Sequence, residues 1–258
     1  LQDRELILDE IRSYLEVMTT DFEFSKGLYT PYCSNHSISI GSILVMAELC
    51  LRDDWPGDPL LADARVLGEQ LMEKGLADLL GEDGSYSEGG LYLAWIFRIL
   101  VPTWEAMARL DGIEAWDEDK VAAALDWVAY QLLPKGDGYF LNRNNCSEQS
   151  RPLCYHDTLW TWSQHRLPEP GFARWLQEMI TGREGFNYGS FSDYPSVVLY
   201  RNPGPELPAH DRLGPARFFP DQGLYVYPRG RVGDPIEDRY PFNFQAGRYP
   251  GGHWPEDV

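Results

Sequence analysis

A chain of 258 residues with 40 acidic side chains against 22 basic ones carries a formal charge of −18, which argues against nucleic acid and anionic membranes as partners. The length suffices for a full core in one large domain or two, and no run is apolar enough to span a bilayer. A polyanionic ligand would need basic residues gathered locally in a cleft, whereas nine Trp and fifteen Tyr are compatible with stacking on sugar rings.

In chain order, the first two thirds read as helices. Leu6 to Val17 sets Ile7, Ile11 and Leu15 on one face, and His36 to Leu51 repeats apolar residues at Ile40, Ile43, Leu44, Ala47 and Leu51. Leu60 to Leu80 carries Leu67, Leu71, Leu76 and Leu80, with Asp63, Glu69 and Glu73 outward. Asp83 to Leu110 is a glycine-marked turn running into an apolar helix whose buried face is Ile96, Leu100, Trp104, Met107 and Leu110; Pro102 should kink it. Asp119 to Leu133 holds Val121, Leu125, Val128 and Leu132, and Pro134 stops it. Shorter helices are expected at Tyr155 to His165, at Phe172 to Thr181 ended by Gly182, and at about Asp193 to Tyr200. Helices with short links and no strand-like alternation imply packed helical hairpins.

At about Pro203 the texture changes. Prolines 203, 205, 208 and 215 punctuate a linker, and short strand-like runs follow at Phe218-Phe219, at Gly223 to Tyr227 and at Phe242 to Ala246. The expected organisation is a helical domain over 1–202 and a linker with the opening of a β domain over 203–258. Three strands make a poor stand-alone sheet, so the β domain is read as unfinished and the chain as partial. Leu1 to Glu10 carry several charges and form no signal-peptide core. None of the four cysteines, Cys33, Cys50, Cys146 and Cys154, belongs to a CxxC pair, which argues against a zinc ribbon or redox motif. Cys146 and Cys154 bracket a loop suited to a local disulfide, which points toward an exported protein, secreted or periplasmic; buried free thiols are the other reading.

Three places could carry chemistry. Asn35 is suited to cap the helix after it, leaving His36 in a first turn where the helix dipole favours the neutral imidazole, a proton acceptor. Tyr86, Glu88 and Tyr92 surround the Gly89–Gly90 pair, which either admits close approach of a ligand or simply starts a helix whose tyrosines pack with satisfied hydroxyls. His253 follows Gly251-Gly252 and precedes Glu256 and Asp257; an ordinary chain end explains the same residues.

Taken in order, these stretches resemble the heparinase II/III-like superfamily of polysaccharide lyases, which includes alginate lyase relatives. Asn35-His36 before an apolar helix resembles that family's Asn-His pair. Asp83-Gly-Ser-Tyr-Ser-Glu-Gly-Gly-Leu-Tyr resembles its "DG-x-Y-x-EG-x-x-Y" helix start. Arg217 to Val226 resembles the strand opening its sandwich, and Phe242 to Gly247 with Gly251-Gly-His253 resembles "F-x-x-G…GGH-x-H-x-D". The resemblance implies a mainly α fold, an incomplete (α/α) toroid of helical hairpins followed by the first strands of an antiparallel β-sandwich.

The resemblance also implies β-elimination at a uronic acid in an acidic polysaccharide or oligosaccharide. Asn35 and His36 would bind the uronate carboxylate, with His36 also a candidate base. Tyr92 would be the acid, and the base as well for one C5 configuration, His253 the partner from the sandwich side, and Glu88, with Tyr86 beside it, would orient the site or contact sugar. Pro255 stands where the family's second histidine lies, so no metal site and no cofactor are expected. Two alternatives remain. One is a degenerate carbohydrate-binding or structural protein on the same scaffold; the other is a glycoside hydrolase using Glu88 and Asp157 as paired carboxylates.

Overall fold

The computed structural model describes residues 2–20, 35–131, 158–168, 170–181, 213–214, 216–229 and 240–245. Among these the chain is mainly helical, with helices α1 (Gln2–Thr20), α2 (Asn35–Leu51), α3 (Pro59–Leu79), α4 (Gly90–Leu110), α5 (Glu118–Gln131), α6 (Thr158–Arg166) and α7 (Pro170–Thr181). Strands β1 (Arg217–Phe219), β2 (Leu224–Arg229) and β3 (Tyr240–Gln245) form one antiparallel sheet in the order β1-β2-β3. The helix expected at Asp193 to Tyr200 lies outside the described residues. No described helix is long and apolar enough to cross a membrane.

The described chain divides into two compact units. The first comprises Leu1–Asp78 with Thr103–Ala115; the second comprises Leu79–Pro102 with the rest from Trp116 onward.

In the first unit, α2 and α3 form an antiparallel hairpin. Ile38 meets Gly75, and Gly41 meets both Gly68 and Met72; partner numbers fall on α3 as they rise on α2. A Cβ on Gly41 would come within 2.6 Å of the Gly68 carbonyl oxygen, so the helices touch backbone to backbone there. The core between α1, α2 and α3 is built from Leu15, Leu44, Leu51, Leu61 and Leu71. Each such leucine stabilises the fold by roughly 1.5–3 kcal/mol.

Two expectations are corrected here. On α1 the packed stripe is Leu8, Ile11, Leu15 and Met18, while Ile7 is 59% exposed. The stripe is rotated because Arg12 lies beside it, bound to Asp58 at 2.6 Å and placed 5.3 Å over the Trp55 ring. On α4, Ile96, Leu100, Trp104 and Met107 are buried as expected, but Leu110 is 56% exposed. There the helix is already ending: Asp111 and Ile113 both donate to the Met107 carbonyl, and Gly112 is left-handed at φ 70°.

Helix starts follow local chemistry. Asp58 accepts the Leu60 amide at 2.9 Å with Pro59 in the first turn of α3, and Asp117 accepts the amides of Asp119 and Lys120 ahead of α5.

In the second unit, β1 docks on α5 through Arg217. Its guanidinium bonds Asp126 at 2.8 Å and sits 5.9 Å from the Tyr130 ring centre, while the Tyr130 hydroxyl donates to the Gly214 carbonyl at 3.1 Å. Phe219, Leu224 and Val226 are buried, whereas the cross-strand pair Phe218 and Tyr225 faces outward, giving the period of two expected of a half-buried sheet. Helices α6 and α7 pack against each other, and Thr158 through Gln164 of α6 are buried on every side.

Candidate functional site

The segment between α3 and α4 is a folded loop held by its own backbone. The Ser87 amide and hydroxyl both donate to the Leu79 carbonyl, at 2.9 and 3.3 Å, and the Gly81 amide donates to Ser85 at 2.9 Å. Asp83 accepts the Ser85 amide at 2.9 Å, closing the turn, and Gly84 follows Asp83 at φ 83°. A Cβ on Gly84 would lie 2.0 Å from the Ala123 carbonyl carbon, so glycine is required there by the approach of α5. Gly89 is also left-handed, at φ 91°, and its carbonyl accepts the Leu93 amide at 3.0 Å to begin α4. In the Gly89–Gly90 pair, read either as room for a ligand or as a helix start, Gly89 thus has a local cause, the start of α4.

Tyr86 and Glu88 are brought together. The Tyr86 hydroxyl donates to Glu88 Oε2 at 3.3 Å, and both side chains are 0% exposed. Glu88 lies just ahead of α4, where the helix dipole favours a carboxylate. From full burial, neither side chain presents surface to a sugar. Tyr92, four residues after Glu88, is half-buried in the first turn of α4.

Asn35 and His36 belong to the first compact unit, and Tyr86, Glu88 and Tyr92 to the second. Helix α2 begins at Asn35 itself, one residue earlier than expected, and the Ser39 hydroxyl donates back to the Asn35 carbonyl at 2.9 Å. Asn35 is buried and His36 exposed, as the rotation of about 100° between successive helical side chains allows. His253, Asp157, Cys33, Cys146 and Cys154 lie outside the described residues; Cys50 is an exposed free thiol. Among the described residues no group of three His, Cys, Asp or Glu side chains could hold a metal ion.

Sequence reasoning missed a polar cluster in the first unit. Arg52 and Arg65 both bond Asp111, at 2.7 and 2.9 Å, and Arg65 also reaches Glu48 at 3.1 Å and Glu69 at 2.6 Å. The Arg52 guanidinium, ahead of that of Arg65, holds the Asp111 carboxyl below the usual aspartate range. The four-residue spacings Glu48–Arg52 and Arg65–Glu69 were a visible signal of helical ion pairs. Nothing local marked Asp111 as their shared partner.

No protein-family model, no curated protein and no solved structure matches this chain.

Proposed function

We propose that the chain is a polysaccharide lyase-like protein that cleaves uronic-acid-containing polysaccharide by β-elimination. The scaffold of this reading is an incomplete (α/α) toroid with the first strands of an antiparallel β-sandwich, in a secreted or periplasmic protein. The observation that carries it is the start of α4: a buried Tyr86–Glu88 hydrogen bond, a left-handed Gly89, and Tyr92 half-buried one turn on. This supports the reading by a fixed helix start just ahead of Tyr92, in the order of motifs that the sequence resemblance implies.

In this reading Asn35 and His36 bind the uronate carboxylate by hydrogen bonds, which acidifies the proton on C5. A base removes that proton, with His36 or, for one C5 configuration, Tyr92 as the candidate, and the electron pair delocalises into the carboxylate as an enolate-like intermediate. The pair then forms the C4–C5 double bond as the C4–O bond breaks. Tyr92 gives its hydroxyl proton to the departing oxygen.

One observation favours a second reading, a catalytically degenerate carbohydrate-binding or structural protein: Tyr86 and Glu88 are wholly buried, as in a purely structural lock. Incubation with polymannuronate, polyguluronate, polygalacturonate and glycosaminoglycan chains separates the two. A lyase yields an unsaturated product absorbing in the near ultraviolet. New reducing ends without that absorbance mean hydrolysis and sink the proposal; binding with no cleavage selects the degenerate scaffold.

A further inference from the structure

Within the first compact unit, the C-terminal part of α2, the loop after it and the start of α3 enclose a cleft of about 490 Å³. That lies within the roughly 300–1,000 Å³ of small-molecule sites. It does not coincide with the Asn35–His36 end of α2: from His36 to Glu48 the helix rises about 18 Å.

The lining combines two chemistries. Trp55, Leu61 and Val66 supply apolar surface, with the Trp55 indole steadied by Arg12, which is not itself part of the lining. Glu48, Arg52, Arg65 and Asp111 supply the polar wall. Its charges are already paired. Arg52 Nη1 donates to Asp111 Oδ1 at 2.7 Å, and Arg65 uses Nη1 for Glu48 and Asp111 and Nε for Glu69. Neither Nη2 group donates to a protein atom among the described residues, and Glu48 Oε1 has only a 4.0 Å contact with Arg52.

Charge decides the ligand class. Glu48, Asp58 and Asp111 put three carboxylates on the lining against the guanidiniums of Arg52 and Arg65. An anion would have to displace a carboxylate from an arginine that it already neutralises. A cation would meet carboxylates already engaged. A hydroxyl group suits both at once, accepting from an Nη2 and donating to a carboxylate oxygen. Adjacent hydroxyls on a ring with an apolar C–H face also match the indole and aliphatic side.

We propose that this cleft binds a neutral, hydroxyl-rich ligand, a carbohydrate residue, through Trp55, Arg52, Arg65 and Glu48. The site does not depend on the lyase reading, since it uses none of the residues assigned to it.

The test is calorimetric titration of the full chain with neutral hexasaccharides of glucose, mannose and galactose, and with a hexauronate. At least one neutral hexasaccharide should bind. Ala62→Trp, which fills the cleft from an exposed lining position and leaves every ion pair intact, should weaken it by about tenfold or more, equivalent to 1.4 kcal/mol. Trp55→Ala should do the same; if that variant unfolds, because Trp55 also packs on the core, Ala62→Trp decides alone. The proposal is overturned if no neutral hexasaccharide binds, or if binding survives Ala62→Trp. It is equally overturned if the hexauronate binds more tightly in a manner that Ala62→Trp abolishes.

Discussion

Asp83 and Asp221, 138 residues apart, each accept the other's backbone amide: Asp221 N–H donates to Asp83 Oδ2 at 3.0 Å, and Asp83 N–H to Asp221 Oδ2 at 3.3 Å. The turn that leads to Tyr86 and Glu88 is thereby tied to the turn between β1 and β2. Gly81 belongs to the same contact, since a Cβ there would come within 2.6 Å of Asp221 Oδ2. Each carboxylate thus accepts an amide hydrogen bond from the other's turn, and Asp83 accepts the Ser85 amide as well.

Asp221→Ala removes one half of the exchange, leaving the Asp83 amide to solvent while the backbone amide at 221 can still donate to Asp83. The expected loss is about 0.5–1.5 kcal/mol, one net hydrogen bond at a partly solvated site. Asp83→Ala should cost more, because Asp83 also closes its own turn by accepting the Ser85 amide. In a double-mutant cycle by urea denaturation the two should be non-additive. Strict additivity would mean that the two bonds form independently rather than as one cooperative reciprocal contact.

Gly84 and Gly57 form a contrasting pair, both left-handed at φ 83° and 73°. Nothing lies within 4 Å of a Cβ on Gly57, so Gly57→Ala should cost only the backbone strain of about 1–2 kcal/mol. Gly84→Ala adds overlap with the Ala123 backbone, a further cost of about 1–3 kcal/mol that a rigid helix cannot relieve. Denaturation midpoints of the two variants should differ clearly. Equal midpoints would contradict the close approach of α5 to this turn.

Acid should loosen the first unit. Asp111 is held below its usual range by Arg52 and then by Arg65, and Asp58 by its bond to Arg12 and then by the Leu60 amide. A lowered folded-state pKa gives stability that is fully present above the unfolded value of about 3.9 and is lost as pH falls through the folded one. Stability should therefore be flat above about pH 5 and decline as the pH falls below about 4. Asp111→Asn should be less stable at neutral pH and show a shallower acid decline. An unchanged acid profile in that variant would remove Asp111 from the explanation.

Tyr92→Phe addresses the lyase reading at its acid. The substitution deletes one oxygen from a ring of nearly unchanged shape, so fold and substrate binding should persist. In a chain that shows lyase turnover, the rate should fall about a hundred- to ten-thousand-fold, the usual contribution of a general acid. Near-full turnover would move the proton transfer to His36 or another residue. Tyr86→Phe should act differently, lowering stability through the lost bond to Glu88.

The sequence alone determined where most of the described helices run and that strands follow them. A helix presents its apolar stripe within a few residues, so the spacing from Ile96 to Met107 and the proline-punctuated stretch before Arg217 were readable without any long-range knowledge. The Tyr86–Glu88 pair was equally visible as neighbouring polar groups. Tertiary structure alone decided which way those groups face and what the glycines are for. Ile7 turns outward because Arg12 and Trp55 set the rotation of α1, and Gly84 is required by α5, 39 residues away in sequence. Asp111 draws Arg52 from just past α2 and Arg65 from α3, and Asp83 finds Asp221 across 138 residues. Such partners are chosen by packing between distant segments, and a local pattern contains no term for the distance between them.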